Sequence, residues 1–240
     1  MKILAIDSSA GPASCAVWED GEILAASTLH TRLTHSQTLL PMVDAMLKNA
    51  VQHLEEMDVL AVSAGPGSFT GVRIGVAAVK GMAFPSDKPC APVSTLAAMV
   101  RNMEGLPWEG LICAAMDARC GQVYTALFSC EKGRISRLTA DEAISIENLK
   151  IRLDSYKKSV ILVGDGAKLC YNALRDELYS LHLAPPLLRY QQAAGVAAEA
   201  ADMAQRGELV SGSALLPAYL RLPQAERELK KRQETDKSGL

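Results

Sequence analysis

Ile3-Leu4-Ala5-Ile6-Asp7 is a short apolar run that ends in an acid, and Leu111-Ile112-Cys113-Ala114-Ala115-Met116-Asp117 repeats it in the second half of the chain. Two more strand-like stretches follow each run: Ala13–Glu19 and Glu22–Thr28 after the first, Gln122–Cys130 and Gly133–Ala140 after the second. Behind each triplet come a helical pattern, a strand, a helix, a strand and a helix. A duplicated β-β-β-α-β-α-β-α unit predicts an α/β protein of two similar lobes facing a cleft. Each lobe carries a mixed sheet with helices packed on its faces. Clefts of that shape commonly handle a nucleotide or an acyl phosphate. The groups lining the cleft therefore decide the function.

The spacing places the first lobe at residues 1–105. Thr34 or Ser36 can cap a helix over 36–50, whose Leu39, Val43, Met46, Leu47 and Ala50 keep helical spacing. Asp58–Ala64 reads as a strand broken by Gly65-Pro66-Gly67. Ser68 or Thr70 opens a helix to about Phe84, Cys90–Val93 is a short strand, and Ser94 or Thr95 starts the lobe's last helix. Gly105 to Gly110 looks like a hinge. The second lobe spans 106–207, with helices starting at Ser145, Ala167 and Ala193 and a strand over Ser159–Val163. Residues 208–240 form a tail. Its segment Leu215–Arg221 is apolar enough to pack on the body, and the Lys/Arg/Glu-rich end after Gln224 is expected to be solvated.

Composition narrows the function. The chain has 240 residues, 49% of them apolar and 22% charged, with a formal net charge of −2. That supports a large core and argues against binding bare nucleic acid by charge alone. The six cysteines include no C-x-x-C pair, which argues against a structural zinc site and for free, buried thiols in a reducing, cytosolic setting. No apolar run reaches the roughly 18 residues of a membrane span.

Three segments could carry chemistry. Asp7-Ser8-Ser9 sits where the first strand meets a hairpin. There an acid can hold a metal-bound water, or simply cap the turn. Gly65-Pro66-Gly67-Ser68 ends a strand and opens a helix, so free N–H groups and a positive dipole end could meet an anion. A plain strand-to-helix turn explains it equally well, and no Gly-Lys-Ser/Thr follows. Val163-Gly164-Asp165-Gly166 is the corresponding turn of the second lobe. Asp7, Ser8, Gly65, Gly67 and Ser68 are the candidate nucleotide- or anion-facing residues. The helix after Gly67 carries Gly71, Gly75 and Ala78 on one face, beside Val72, Val76 and Val79. Glycine inside a helix costs about 1 kcal/mol against alanine, so a close approach by another element is expected there.

Ala5–Ser9, His35–Pro41, Gly65–Gly75, Met116-Asp117-Ala118-Arg119 with Val123-Tyr124, and Pro217–Arg221 together resemble the TsaB (YeaZ) family from end to end. The resemblance implies two ribonuclease H-like lobes of the acetate kinase, sugar kinase, Hsp70 and actin superfamily. It also implies a role beside TsaD and the ATPase TsaE. These proteins make N6-threonylcarbamoyladenosine at position 37 of tRNAs that read codons beginning with A. TsaD-type proteins carry a His-x-x-x-His metal site, and the positions that align with it here are Thr95 and Met99, poor ligands for a divalent ion.

The resemblance and that departure predict a subunit with no catalytic residue, no metal and no cofactor, meeting tRNA only through the complex. It would pair with TsaD, or with itself when alone, through His35, Leu39, Val43, Met46, Gly71, Val72, Gly75, Val76 and Val79. Two enzymatic readings compete: a metal-dependent glycoprotease-like hydrolase and a small-molecule kinase of the same fold.

Overall fold

The computed structural model of the chain describes residues 1–31 and 33–221; the expected solvated end after Gln224 lies outside them. The first lobe is built from β1 (Lys2–Asp7), β2 (Ala13–Glu19), β3 (Glu22–Leu29), α1 (His35–Asn49), β4 (Val59–Gly65), α2 (Phe69–Ala83), β5 (Cys90–Ser94) and α3 (Thr95–Arg101). The second holds β6 (Gly110–Arg119), β7 (Gln122–Glu131), β8 (Arg134–Arg137), β9 (Glu142–Ser145), α4 (Ile146–Tyr156), β10 (Val160–Val163), α5 (Ala167–Leu174), β11 (Leu181–Leu183), α6 (Pro186–Arg189) and α7 (Ala193–Gln205).

The expected duplication is present in the strand order. The first sheet runs β3-β2-β1-β4-β5 and the second β8-β7-β6-β10-β11. In each, the first three strands form an antiparallel meander and the last two add in parallel. Such mixed sheets need helices on both faces. That is why β4 and β10 are buried at every residue and read as continuous apolar runs rather than alternating ones. The second meander holds one strand the spacing did not assign: β9 pairs antiparallel with β7 alongside β8. It is four half-buried residues long and carries little periodic signal.

The lobes do not divide where the sequence places the boundary. α1 and α2 cover one face of the first sheet, with Leu39, Val43, Met46, Val72, Val76 and Val79 meeting Leu4, Ile6, Leu60 and Val62. The other face is covered by α7, whose Ala193, Val196, Ala197 and Ala200 pack on Ile3, Ala5, Ala61 and Ala91. So the helix expected to close the second lobe belongs to the first sheet. In exchange, Leu96, Met99 and Val100 of α3 pack on Ile112, Ala114 and Ala126 of the second sheet. Arg101 at the end of α3 binds Glu199 at 2.7 Å and also Asp202 of α7. The two halves are interlocked by these helices.

Candidate functional site

Five turns meet at the mouth of the inter-lobe cleft. The first lobe supplies Ser9–Gly11 after β1 and Pro66–Thr70 before α2. The second supplies Met116–Arg119 at the β6–β7 turn and Asp165 after β10. Ala218–Arg221 of the C-terminal segment complete the rim, and the cavity they bound has a volume of about 500 Å³.

Asp7 does not look into this space. It is 1% exposed, at the end of β1 beside β4. Its Oδ1 accepts from the Ser9 N–H at 2.9 Å and the Ser9 hydroxyl at 2.8 Å, and its Oδ2 accepts from the Ser63 hydroxyl. Burial pushes this carboxyl above the ordinary carboxylate range; the Ser63 and Ser9 hydrogen bonds and the His35 charge pull against that. An acid so enclosed has no open face for a metal-bound water. Ser8 is also inside, and its hydroxyl donates to the Gly71 carbonyl at 2.9 Å.

The glycine turn is used in the same inward way. A Cβ on Gly67 would stand 2.5 Å from the Ser9 carbonyl oxygen, and that oxygen accepts the Ser68 N–H at 2.7 Å. The Ser68 hydroxyl accepts the Gly71 N–H at 3.3 Å as the α2 cap. Gly65 lies against the Ala218 carbonyl. Of the five residues expected to face an anion, only Gly67 and Ser68 line the cleft, and Ser68 donates its N–H to the Ser9 carbonyl while its hydroxyl oxygen accepts the α2 cap bond. In the second lobe, Asp117 caps its turn by accepting the Arg119 N–H at 2.7 Å. Asp165 accepts from the Gln191 amide at 3.0 Å; burial raises its carboxyl and the Gln191 bond offsets part of the rise.

The expected association residues are also inside the molecule. Leu39, Val43, Met46, Val72, Val76 and Val79 are each at most 6% exposed, all within the core between α1, α2 and the first sheet. Gly71 and Gly75 face Ser8 of the same lobe rather than an outside helix. The apolar stripe marks the sheet-facing side, so it cannot be the outer face. His35 is half-buried and its Nε2 hydrogen-bonds the Ala10 carbonyl at 2.8 Å, tying α1 to the β1–β2 turn. α1 exposes Leu40, at 51%, and Ala45 among polar residues such as Gln37, Asp44 and Lys48, and α2 exposes Thr70, Arg73 and Ala77.

Thr95 and Met99 are completely buried; Met99 packs under Gly164 in the second-sheet core, and the Thr95 hydroxyl has no partner. Among the described residues no three His, Cys, Asp or Glu side chains come together as a metal-binding group. No helix of the described residues is long and apolar enough to cross a membrane.

The family described as "TsaD: tRNA N6-adenosine threonylcarbamoyltransferase" matches residues 23–228. The TsaB protein of Bacillus subtilis (strain 168) is 29% identical, over 94% of this chain and 96% of its own length. The TsaB protein of Escherichia coli (strain K12) is 36% identical over 69% of this chain and 72% of its own. This chain belongs to the TsaB family. The solved structure of YeaZ from Pseudomonas aeruginosa superposes with a TM-score of 0.77 at 29% identity, covering 91% of this chain and 99% of that one. Both relatives of known name are tRNA threonylcarbamoyladenosine biosynthesis proteins.

The C-terminal segment is the part of the site that sequence reasoning missed. Leu215 is fully buried, as its apolar character predicted, but Leu216 stays 67% exposed and the chain then runs over the cleft mouth. The bonds that hold it there come from basic residues of α2, which gave no signal of that role.

Proposed function

We propose that this TsaB-family chain takes part in tRNA threonylcarbamoyladenosine biosynthesis as the non-catalytic partner subunit of TsaD. With TsaD and TsaE it supports transfer of threonylcarbamoyl to N6 of adenosine 37 in tRNAs reading ANN codons. It meets the tRNA only through that complex. The observation that carries this reading is the state of Asp7: the acid at the end of the first strand is walled in by Ser63 and Ser9. The buried Thr95 and Met99, in the stretch equivalent to the transferase metal site, support it further. A kinase or hydrolase needs an acid or a metal open to its substrate.

The association surface is proposed to be the outward side of α1 and α2, around Leu40, Ala45, Ile74 and Ala77. Ala45 and Ala77 leave room there for another helix pair, and the apolar Leu40 and Ile74 give it a surface to bury, either against TsaD or against a second copy of this chain in a two-fold dimer. Ala77→Arg tests it. The side chain is exposed, so stability should hold, while TsaD binding and tRNA modification in a reconstituted mixture should fall together. A folded Ala77→Arg protein that still binds TsaD would move the surface elsewhere. Steady ATP hydrolysis or threonylcarbamoyl transfer by the isolated chain would overturn the non-catalytic reading.

A further inference from the structure

Residues 213–221 lie against three separate parts of the fold. The Lys80 ammonium of α2 donates to the Ser213 and Leu215 carbonyls at 3.1 and 3.2 Å. Two and three turns earlier in α2, Arg73 donates from Nε to the Tyr219 hydroxyl at 3.0 Å, and Phe69 packs on the Tyr219 ring at 4.8 Å. The Ala218 N–H donates to the Ala64 carbonyl at the end of β4 at 2.7 Å. Gly65 is the residue that lets the segment come so close: a Cβ there would stand 2.2 Å from the Ala218 carbonyl oxygen. Finally, Arg221 donates to the Ala118 carbonyl of the β6–β7 turn at 2.5 Å, crossing from the first lobe to the second.

We propose that this segment is a latch that holds the cleft mouth shut and joins α2 to the β6–β7 turn as one body. Away from the residues that line the cleft, the lobes are already tied by α3 and α7 through Arg101, Glu199 and Asp202. A cleft with a tie at one end opens by rotation about that tie. The latch sits at the cleft mouth, apart from that tie, and its Arg221 bond opposes opening there. Every anchor except Arg221 is on the first lobe, so releasing Arg221 frees the second lobe's turn while leaving the rest of the segment seated.

The structure supplies its own reporter. Cys120 is exposed at the tip of the β6–β7 turn, and the other five cysteines are buried. A spin label on Cys120 and a second on Ser86→Cys, exposed just after α2 and outside the proposed association surface, measure the distance between the lobes in the full-length chain diluted with unlabelled chain. With the latch intact the distance distribution should be narrow. Arg221→Ala should broaden it and shift it to longer distance. Arg221→Lys, which keeps one donor, should recover most of the narrow population. Tyr219→Ala, which loosens the segment from α2, should broaden it as well. Distributions unchanged in both Arg221→Ala and Tyr219→Ala would overturn the proposal, and so would a broad distribution in the parent chain.

Discussion

Gly75 stands over Ser8 with no room for a side chain. A Cβ on Gly75 would lie 2.6 Å from the Ser8 Oγ and 3.1 Å from a methyl of Val62, while that same Oγ is donating to Gly71 one turn back. The seam between α2 and β1 is thus a contact of helix backbone with a serine, and the glycines are there for the sheet. We predict that Gly75→Ala destabilises the chain by about 1–3 kcal/mol through overpacking, despite alanine's better helix propensity. Ser8→Ala in the same chain removes the clashing oxygen and should recover part of the loss. Urea denaturation of the four proteins in a double-mutant cycle measures the coupling. Strictly additive costs would mean that the two residues do not meet.

Gly71→Ala should be the harsher change. Its Cβ would meet the Ser8 carbonyl oxygen at 2.1 Å, a backbone atom that cannot rotate away. The predicted outcome is a lower urea midpoint than that of Gly75→Ala, with the m-value unchanged if the unfolding stays two-state.

Asp7 predicts a pH dependence of definite sign. Its folded-state carboxyl is raised above the ordinary range, so its contribution to stability is fully present below the unfolded pKa of roughly 4 and is lost as pH rises through the folded value. Asp7→Asn has no such titration. The stability of the parent chain relative to Asp7→Asn should therefore fall as pH rises above about 4. Parallel denaturation curves across that range check it; a relative stability that rises with pH would contradict the burial-dominated assignment.

Thiol chemistry should count one accessible cysteine. Burial pushes the Cys15 and Cys113 thiols up to about 12, so at pH 8 neither supplies thiolate, and both are shielded besides. An aromatic disulfide reagent should titrate one fast thiol per native chain, Cys120, and all six cysteines after denaturation. Cys120→Ser should remove the fast phase.

The duplicated unit, its mixed sheets flanked by helices and the family were legible in the sequence. Apolar runs ending at Asp7 and Asp117 and the glycine breaks at Gly65 and Gly164 are one-dimensional signals of strand ends. The apolar stripe on α1 and α2 was legible too, but not what it faces. Leu39, Val43 and Met46 recur at helical spacing whether they meet a sheet or a partner, and the structure puts them on the sheet. The alanines of α7 are ambiguous for a related reason: small side chains fit closely against many surfaces and name none, so the first sheet could not be singled out as their partner. The seat of residues 213–221 depends on Lys80 and Arg221 reaching backbone carbonyls and on the Ala218 N–H meeting the Ala64 carbonyl, and carbonyls are the same at every position.

The exchange of α3 and α7 also bears on how the chain is made. The first sheet is complete when Ser94 has been joined, yet the face that Ile3, Ala5, Ala61 and Ala91 present stays open until α7, which starts at Ala193, has been synthesised. At translation rates of ~5–20 residues per second, that interval is on the order of 5–20 s. For that time the nascent chain carries an uncovered apolar sheet outside the ribosome. A holding chaperone that recognises extended apolar chain should therefore crosslink to ribosome-bound intermediates ending before residue 193, and should leave them once α7 has emerged.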